Sequence, residues 1–357
     1  MNQQRLARVL RNMERDGLEQ IVVTSTASVY YLTGYWVEPM ERLLAVSLRA
    51  DGTCTLFANT LFALEPQAGL ELVLHQDSDE PTAALAAARR PRRRGVDKAW
   101  PSTYLIAPLN ARPDVTPVLG SAPVDDARKY KDADEIAAMR HASRINDQVV
   151  EQVIAAVKEG AVESELAAYV ESLYRQHGAD RSSEGQLVCF GPNGADPHHG
   201  PNDTVLKDGD SVVLDIFIPI RRYWCDMTRT VFFRSVSDEG RRVYETVRAA
   251  NLAAEAMIRP GVPMKDIDRA ARKVIEDAGY GPCFTHRLGH GCGLDCHEPP
   301  DNSASSPAIA EPGMVFSVEP GIYLPGKLGV RIEDLVLVTE DGCEVLNHAS
   351  KELRVVE

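Results

Sequence analysis

Two segments of this chain start alike and arrive at an acid, and that repetition constrains the fold more than any other feature. Gly209-Asp210-Ser211-Val212-Val213-Leu214 leads to Asp215, and Gly313-Met314-Val315-Phe316-Ser317-Val318 leads to Glu319. In both, the carboxylate stands six residues after the glycine, at the end of an apolar run that reads as a strand. A second acid follows on a returning strand, Asp226 in the first copy and Glu333 in the second. The runs 227–232 and 335–339 complete the two returns.

A helix pair precedes each copy. The first opens at Lys131, where Asp132 and Glu135 have capping-box spacing and Ile136, Met139, Ile145, Val149 and Val153 recur at helical intervals up to Gly160. Its partner spans Glu163 to His177 and closes at Gly178. The second pair spans Asp238 to Ile258 and Met264 to Ala278, and its turn, Gly261-Val262-Pro263, matches Gly160-Ala161-Val162. Two α-α-β-β units related by a pseudo-twofold would bring four strand-borne carboxylates to one centre. Buried together, these acids repel unless a cation neutralises them.

The first ~125 residues read differently. Arg5 to Arg15 carries a helical stripe of Leu6, Val9, Leu10 and Met13, Gln20 to Thr24 reads as a buried strand, and Leu43–Leu48 and Cys54–Phe57 read as two more. The expectation is therefore an α/β domain over 1–125 followed by the repeated unit over 126–357. A cationic run from Arg89 to Arg94 reads as a solvated loop before a strand near Val96.

Composition narrows the function. With 52 acidic against 39 basic residues and a net charge of −13, nucleic acid and anionic membrane are poor partners. No run approaches the ~18 apolar residues of a membrane span, and residues 1–6 have no secretory apolar core behind them. The seven scattered cysteines fit free thiols in a reducing cytoplasm.

Four carboxylates and one neutral imidazole suit two divalent cations such as Mn²⁺, Co²⁺ or Zn²⁺, held by oxygen-rich ligands. The imidazole is His290, in His286-Arg287-Leu288-Gly289-His290-Gly291-Cys292, where flanking glycines let the backbone approach the metals. A rival structural zinc site of His286, His290, Cys292 and Cys296 lacks a paired CxxC and leaves the acids unexplained. Cys292 and Cys296 read better as small buried side chains along a strand. Five of the nine histidines fall between 198 and 297, the interval that also supplies three of the ligands, so His198 and His297 read as catalytic residues rather than ligands.

These residues resemble the pita-bread metallopeptidases, which include methionine aminopeptidase, Xaa-Pro aminopeptidase and Xaa-Pro dipeptidase (prolidase). The matching motifs are Val213-Leu214-Asp215, Asp226-Met227-Thr228-Arg229-Thr230, Gly289-His290-Gly291, Ser317-Val318-Glu319-Pro320-Gly321 and Val330-Arg331-Ile332-Glu333-Asp334. The resemblance implies a creatinase-like amino-terminal α/β domain, serving dimerisation and selectivity, before a pita-bread catalytic domain. It implies that Asp215 chelates one metal, that His290 and Glu319 chelate the other, and that Asp226 and Glu333 bridge. A metal-bridging hydroxide would attack the bond preceding proline, with Glu319 shuttling its proton. His297 and His198 would contact the scissile carbonyl and the substrate. Arg331 would bind near the substrate and orient the acids.

The stretch Glu38-Pro39-Met40-Glu41-Arg42 resembles a prolidase loop whose arginine meets the carboxylate of a dipeptide, across a homodimer. A guanidinium placed there rewards a free C-terminus, so Xaa-Pro dipeptides are the expected substrates and longer Xaa-Pro peptides the alternative. A non-catalytic binding module on the same fold is remote, because all five ligand positions are filled. Two positions depart from the family pattern. Phe217 stands where many members have glycine, and Asp301 stands where some prolidases carry arginine.

Overall fold

The computed structural model describes residues 1–87, 93–111, 115–180 and 185–357. Its contacts divide the chain into two compact units, Met1–Arg128 and Lys129–Glu357.

In the first unit, α1 (Gln3–Arg15) is capped by the Asn2 side chain and buries Leu6, Val9 and Met13. The strands β1 (Gln20–Val23), β2 (Ala45–Arg49), β3 (Cys54–Asn59), β4 (Glu71–His75), β5 (Arg93–Val96) and β6 (Thr116–Leu119) form one sheet in the order β4-β3-β2-β1-β5-β6. The consecutive strands β1, β2 and β3 run antiparallel, and the other pairs run parallel. The remaining helices of this unit are α2 (Thr26–Thr33), α3 (Pro81–Ala87), α4 (Ser102–Ala111) and α5 (Ala122–Arg128). Val22, Leu43, Ala45, Phe57, Leu85 and Trp100 form a core cluster. Of the cationic run, positions 89–92 lie outside the described residues.

The second unit has the internal repeat. The expected capping box forms at the start of α6 (Ala133–Ala156), where Asp132 accepts from the Glu135 N–H and Glu135 accepts from the Asp132 N–H. Then come α7 (Glu163–Gln176), β7 (Leu187–Phe190), β8 (Ser211–Ile220) and β9 (Tyr223–Phe233). The second copy has α8 (Asp238–Met257), α9 (Met264–Asp277), β10 (Gly289–Gly291), β11 (Glu298–Asn302), β12 (Val315–Val318), β13 (Gly321–Leu324), β14 (Leu328–Arg331), β15 (Asp334–Val338) and β16 (Cys343–Val345), and the unit ends with β17 (Val355–Val356). One sheet runs β17-β9-β8-β7 and another β11-β10-β12-β15-β16.

Matched contacts tie the copies together as repeats. Gly160 and Gly261 both turn at positive φ, 79° and 88°, and isolated bridges follow at Val162–Val205 and Pro263–Ile309. Gly209 donates to the Phe233 carbonyl as Gly313 does to that of Val338. Buried Asn146 of α6 donates to the Ile216 carbonyl, and buried Asn251 of α8 to the Val318 carbonyl. Each helix pair also packs on its own strands, in two separate apolar clusters.

One strand runs longer than the sequence suggests. Asp215 sits in the middle of β8 rather than at its end, because Ile216 to Ile220 continue the pairing with β9. A two-residue turn then reverses the chain with both Arg221 and Arg222 at positive φ, 53° and 73°. No helix among the described residues is long and apolar enough to cross a membrane.

Candidate active site

The β8–β9 hairpin sets the first two acids. Asp215 pairs with Thr228 and Phe217 with Asp226, so Asp215 and Asp226 are diagonal neighbours on one face. Thr228 then reaches the second copy. Its carbonyl accepts from the Glu333 N–H at 3.0 Å and its hydroxyl donates to Glu333 Oε2 at 2.8 Å. Glu319, just past β12, is held by its own N–H on the Leu288 carbonyl and by the Ser317 hydroxyl at 3.2 Å.

His290 enters from β10, and the glycines beside it are sterically required. A Cβ at 289 would lie 2.0 Å from the Ser317 carbonyl oxygen, and one at 291 would lie 2.4 Å from that of Glu298. His290 Nδ1 lies 3.2 Å from the Gly291 carbonyl, which keeps the proton on Nδ1 and leaves Nε2 for the acids. Nε2 is 3.4 Å from Glu319 Oε1 and 3.7 Å from Asp226 Oδ2.

Asp226, His290 and Glu333 offer ligand atoms that all lie within 4.8 Å of one another. Burial, then repulsion from neighbouring acids, pushes Asp226 and Glu333 well above the usual carboxylate range. Burial lifts Glu319 to about 7, against the pull of Arg331 and with the push of Asp215. Burial and neighbouring His297 hold His290 down at about 3, so its imidazole is neutral. Asp215 Oδ1 and Glu333 Oε1 are buried without a hydrogen-bond partner. Acids left this unsatisfied, facing a neutral imidazole, are the donor set that a divalent cation requires.

A cavity of about 560 Å³ opens over this cluster. Of the residues expected from sequence, it is lined by His198, Asp215, Asp226, His290, His297, Glu319, Arg331 and Glu333. The rings of His290 and His297 lie 3.9 Å apart. Arg42 belongs to the amino-terminal unit, where Asp77 accepts from Nε and an NH2 group at 2.8 and 2.9 Å and Glu41 pairs with it at 2.7 Å.

Two buried acids hold the segments that carry the cavity histidines. Glu163, at the start of α7, accepts from the Phe190 and Asn202 N–H groups and from the Asn193 amide, pinning the loop of His198. His199 turns to this same Glu163, at 3.2 Å, and is not among the cavity-lining residues. Glu298 forms a buried ion pair with Lys131 at 2.7 Å, directly after His297.

Several lining residues had not been singled out as site residues. Cys296 is not a strand residue as expected. It stands in the turn before β11, its thiol 3.4 Å from Asp226 Oδ2. Phe217, Leu187, Pro197 and Gly185 also line the cavity, as do Arg287, paired at 2.8 Å with the unusual Asp301, and His286. His286 heads a directed chain of hydrogen bonds. Burial holds it neutral at about 4, with Nδ1 on the Arg287 carbonyl, so Nε2 accepts from the Tyr323 hydroxyl at 2.7 Å. Tyr323 accepts from Arg331 at 2.9 Å, and Arg331 in turn donates to Asp215 Oδ2 at 2.6 Å and to Thr228 at 3.0 Å. Tyr323→Phe is expected to lower kcat/KM ~10-fold or more, as losses of such outer partners do. Steady-state kinetics with a metal titration checks this, since a shifted metal dependence is the mark of a misplaced Asp215.

Fold and site together define a metallopeptidase. Residues 137–340 match the model of Metallopeptidase family M24, and residues 5–130 match that of the Creatinase/Prolidase N-terminal domain. The chain belongs to metallopeptidase family M24, and that membership implies divalent metal ions. An uncharacterized peptidase of Staphylococcus aureus (strain USA300) is 34% identical over 97% of this chain and 99% of its own length. The prolidase of Thermococcus sibiricus superposes with a TM-score of 0.94 at 34% identity, covering 100% of this chain and 99% of that one. The dipeptidase PepE of Mycobacterium ulcerans gives 0.91 at 36% identity, over 99% and 97%.

Proposed function

We propose that this metallopeptidase cleaves Xaa-Pro dipeptides, using two divalent cations held by Asp215, Asp226, His290, Glu319 and Glu333. The convergence of Asp226, His290 and Glu333 with the unpartnered buried oxygens of Asp215 and Glu333 supports this reading most directly. Two cations bound there, whether Mn²⁺, Co²⁺ or Zn²⁺, supply Lewis acidity and an acidified water. Asp226 and Glu333 each feel the charges of both Asp215 and Glu319, and these four acids with His290 would hold the cations. Glu319 borders the cavity and takes the proton of the attacking water, then hands it to the departing proline nitrogen. His297 and His198 bind the scissile carbonyl and steady the oxyanion that develops on it. Arg331 holds Asp215 in place through its charged hydrogen bond.

Dipeptide selectivity is assigned to Arg42, supplied by a second copy of the chain. It stands two residues after Met40, which is 85% exposed at positive φ. The structural likeness to a prolidase and a dipeptidase favours the same substrate class. Arg42→Ala is expected to raise KM for Leu-Pro by roughly 10–100-fold, the size of a lost hydrogen bond between charged groups, and to narrow the preference for Leu-Pro over Leu-Pro-Pro. If the wild-type enzyme cleaves Leu-Pro-Pro as well as Leu-Pro, the chain is an Xaa-Pro aminopeptidase instead.

A further inference from the structure

The cavity over the acids has one apolar side, and it comes from the first half of the repeat. Leu187 of β7, Pro197 of the following loop and Phe217 of β8 all line it. Phe217 is the residue directly paired with Asp226, and it lies two places beyond Asp215 on the same strand face. Its backbone is locked, because the Gln186 side chain accepts from its N–H at 3.1 Å and donates to its carbonyl at 2.7 Å. Its ring is also held, 6.3 Å from that of Trp224, and Gly185 brings bare backbone up to its tip. The result is a rigid aromatic surface bordering the carboxylate cluster.

We infer that Phe217 is a specificity-determining residue, forming with Leu187 and Pro197 the subsite for the side chain of the residue before the cleaved bond, and that this subsite selects apolar side chains. The inference rests on the dipeptidase reading above. The free amine of such a substrate belongs to the residue before the cleaved bond, and a positive pole is drawn to the acids, of which Asp215 and Asp226 share the β8–β9 face with Phe217. The side chain of that same residue then falls against the next position on the strand face, which is Phe217. A cavity of about 560 Å³ has room for a large side chain together with the proline ring, so the wall acts by contact rather than by exclusion. An acidic side chain gains nothing from the apolar wall and loses hydration against it.

The test compares kcat/KM for Leu-Pro, Phe-Pro, Gly-Pro and Asp-Pro, on the metal-loaded enzyme and on Phe217→Thr, Phe217→Gly and Phe217→Leu. Threonine suits a strand and removes the ring, so it keeps the comparison open if the glycine variant does not fold. The wild type is expected to prefer Leu-Pro and Phe-Pro over Gly-Pro and Asp-Pro. The threonine variant is expected to lose about 10-fold or more of the Leu-Pro to Gly-Pro ratio, and the leucine variant to retain most of it. Equal losses on all four dipeptides would reduce Phe217 to a structural residue and overturn the inference. So would a change that follows the second residue, read by comparing Leu-Pro with Leu-Ala. Failure of the wild type to cleave any Xaa-Pro dipeptide while cleaving other peptides would instead strike the dipeptidase reading itself.

Discussion

Asp226→Asn is expected to abolish measurable hydrolysis of Leu-Pro, a loss well beyond the ~10–100-fold seen when only an outer partner of a metal ligand is removed. Stability should move in opposite directions in the two forms of the protein. Without cations, Asp226 is buried beside Asp215 and Glu319 and folds only by giving up its charge, a cost that its neutral amide isostere does not carry. The stripped variant should therefore melt above the stripped wild type. With cations present, the wild type gains stability from binding, whereas the variant gains little. Thermal melts with and without chelator, run beside the activity assay, read both signs. If the variant melts lower in both forms, Asp226 is an ordinary structural acid.

The stripped enzyme should also lose stability as pH rises above about 6.5. In the unfolded chain carboxylates ionise near ~4.3 and histidines lose their protons near ~6.5. Folded Asp226 and Glu333 titrate well above the usual range and Glu319 at about 7. The cation-free fold thus binds more protons than the unfolded chain near neutrality, and stability falls as pH climbs through the folded values. Each such proton is worth about 1.4 kcal/mol per pH unit. His290 and His286 act the other way, because burial holds them at about 3 and about 4. Their contribution levels off about one unit above ~6.5, where unfolded imidazoles become neutral too, and two such groups do not outweigh the three acids. Cations take over the role of the protons in the loaded enzyme, so the gap in melting temperature between loaded and stripped protein should widen from pH 6.5 to 8. A gap that stays constant would show that the acids do not share one buried site.

The acids were legible because each copy places a glycine, an apolar run and a carboxylate at one spacing, and because strand alternation then puts Asp215 and Asp226 on a common face. His290 could be read from glycines that turn out to be crowded by backbone on both sides. Other parts of the site depend on register and on contacts between distant strands, which no local pattern encodes. Tyr323 is one of eleven tyrosines in the chain, and only the β13–β14 hairpin brings its hydroxyl between Arg331 and His286. Cys296 looked like core filler because its nearness to Asp226 is set by the turn that Lys131 and Glu298 stabilise. The extent of β8 is hidden from the sequence for a related reason. Its turn uses two arginines at positive φ, where glycine or asparagine is the usual signal.

Metal content tests the central claim most directly. The wild-type chain and Asp226→Asn are stripped, reloaded with Mn²⁺, desalted and assayed for metal per chain by mass spectrometry. Two equivalents on the wild type, with at least one lost from the variant, is the result expected of cations gathered by Asp215, Asp226, His290, Glu319 and Glu333. A wild-type chain that retains no metal, or a variant that retains as much as the wild type, contradicts it.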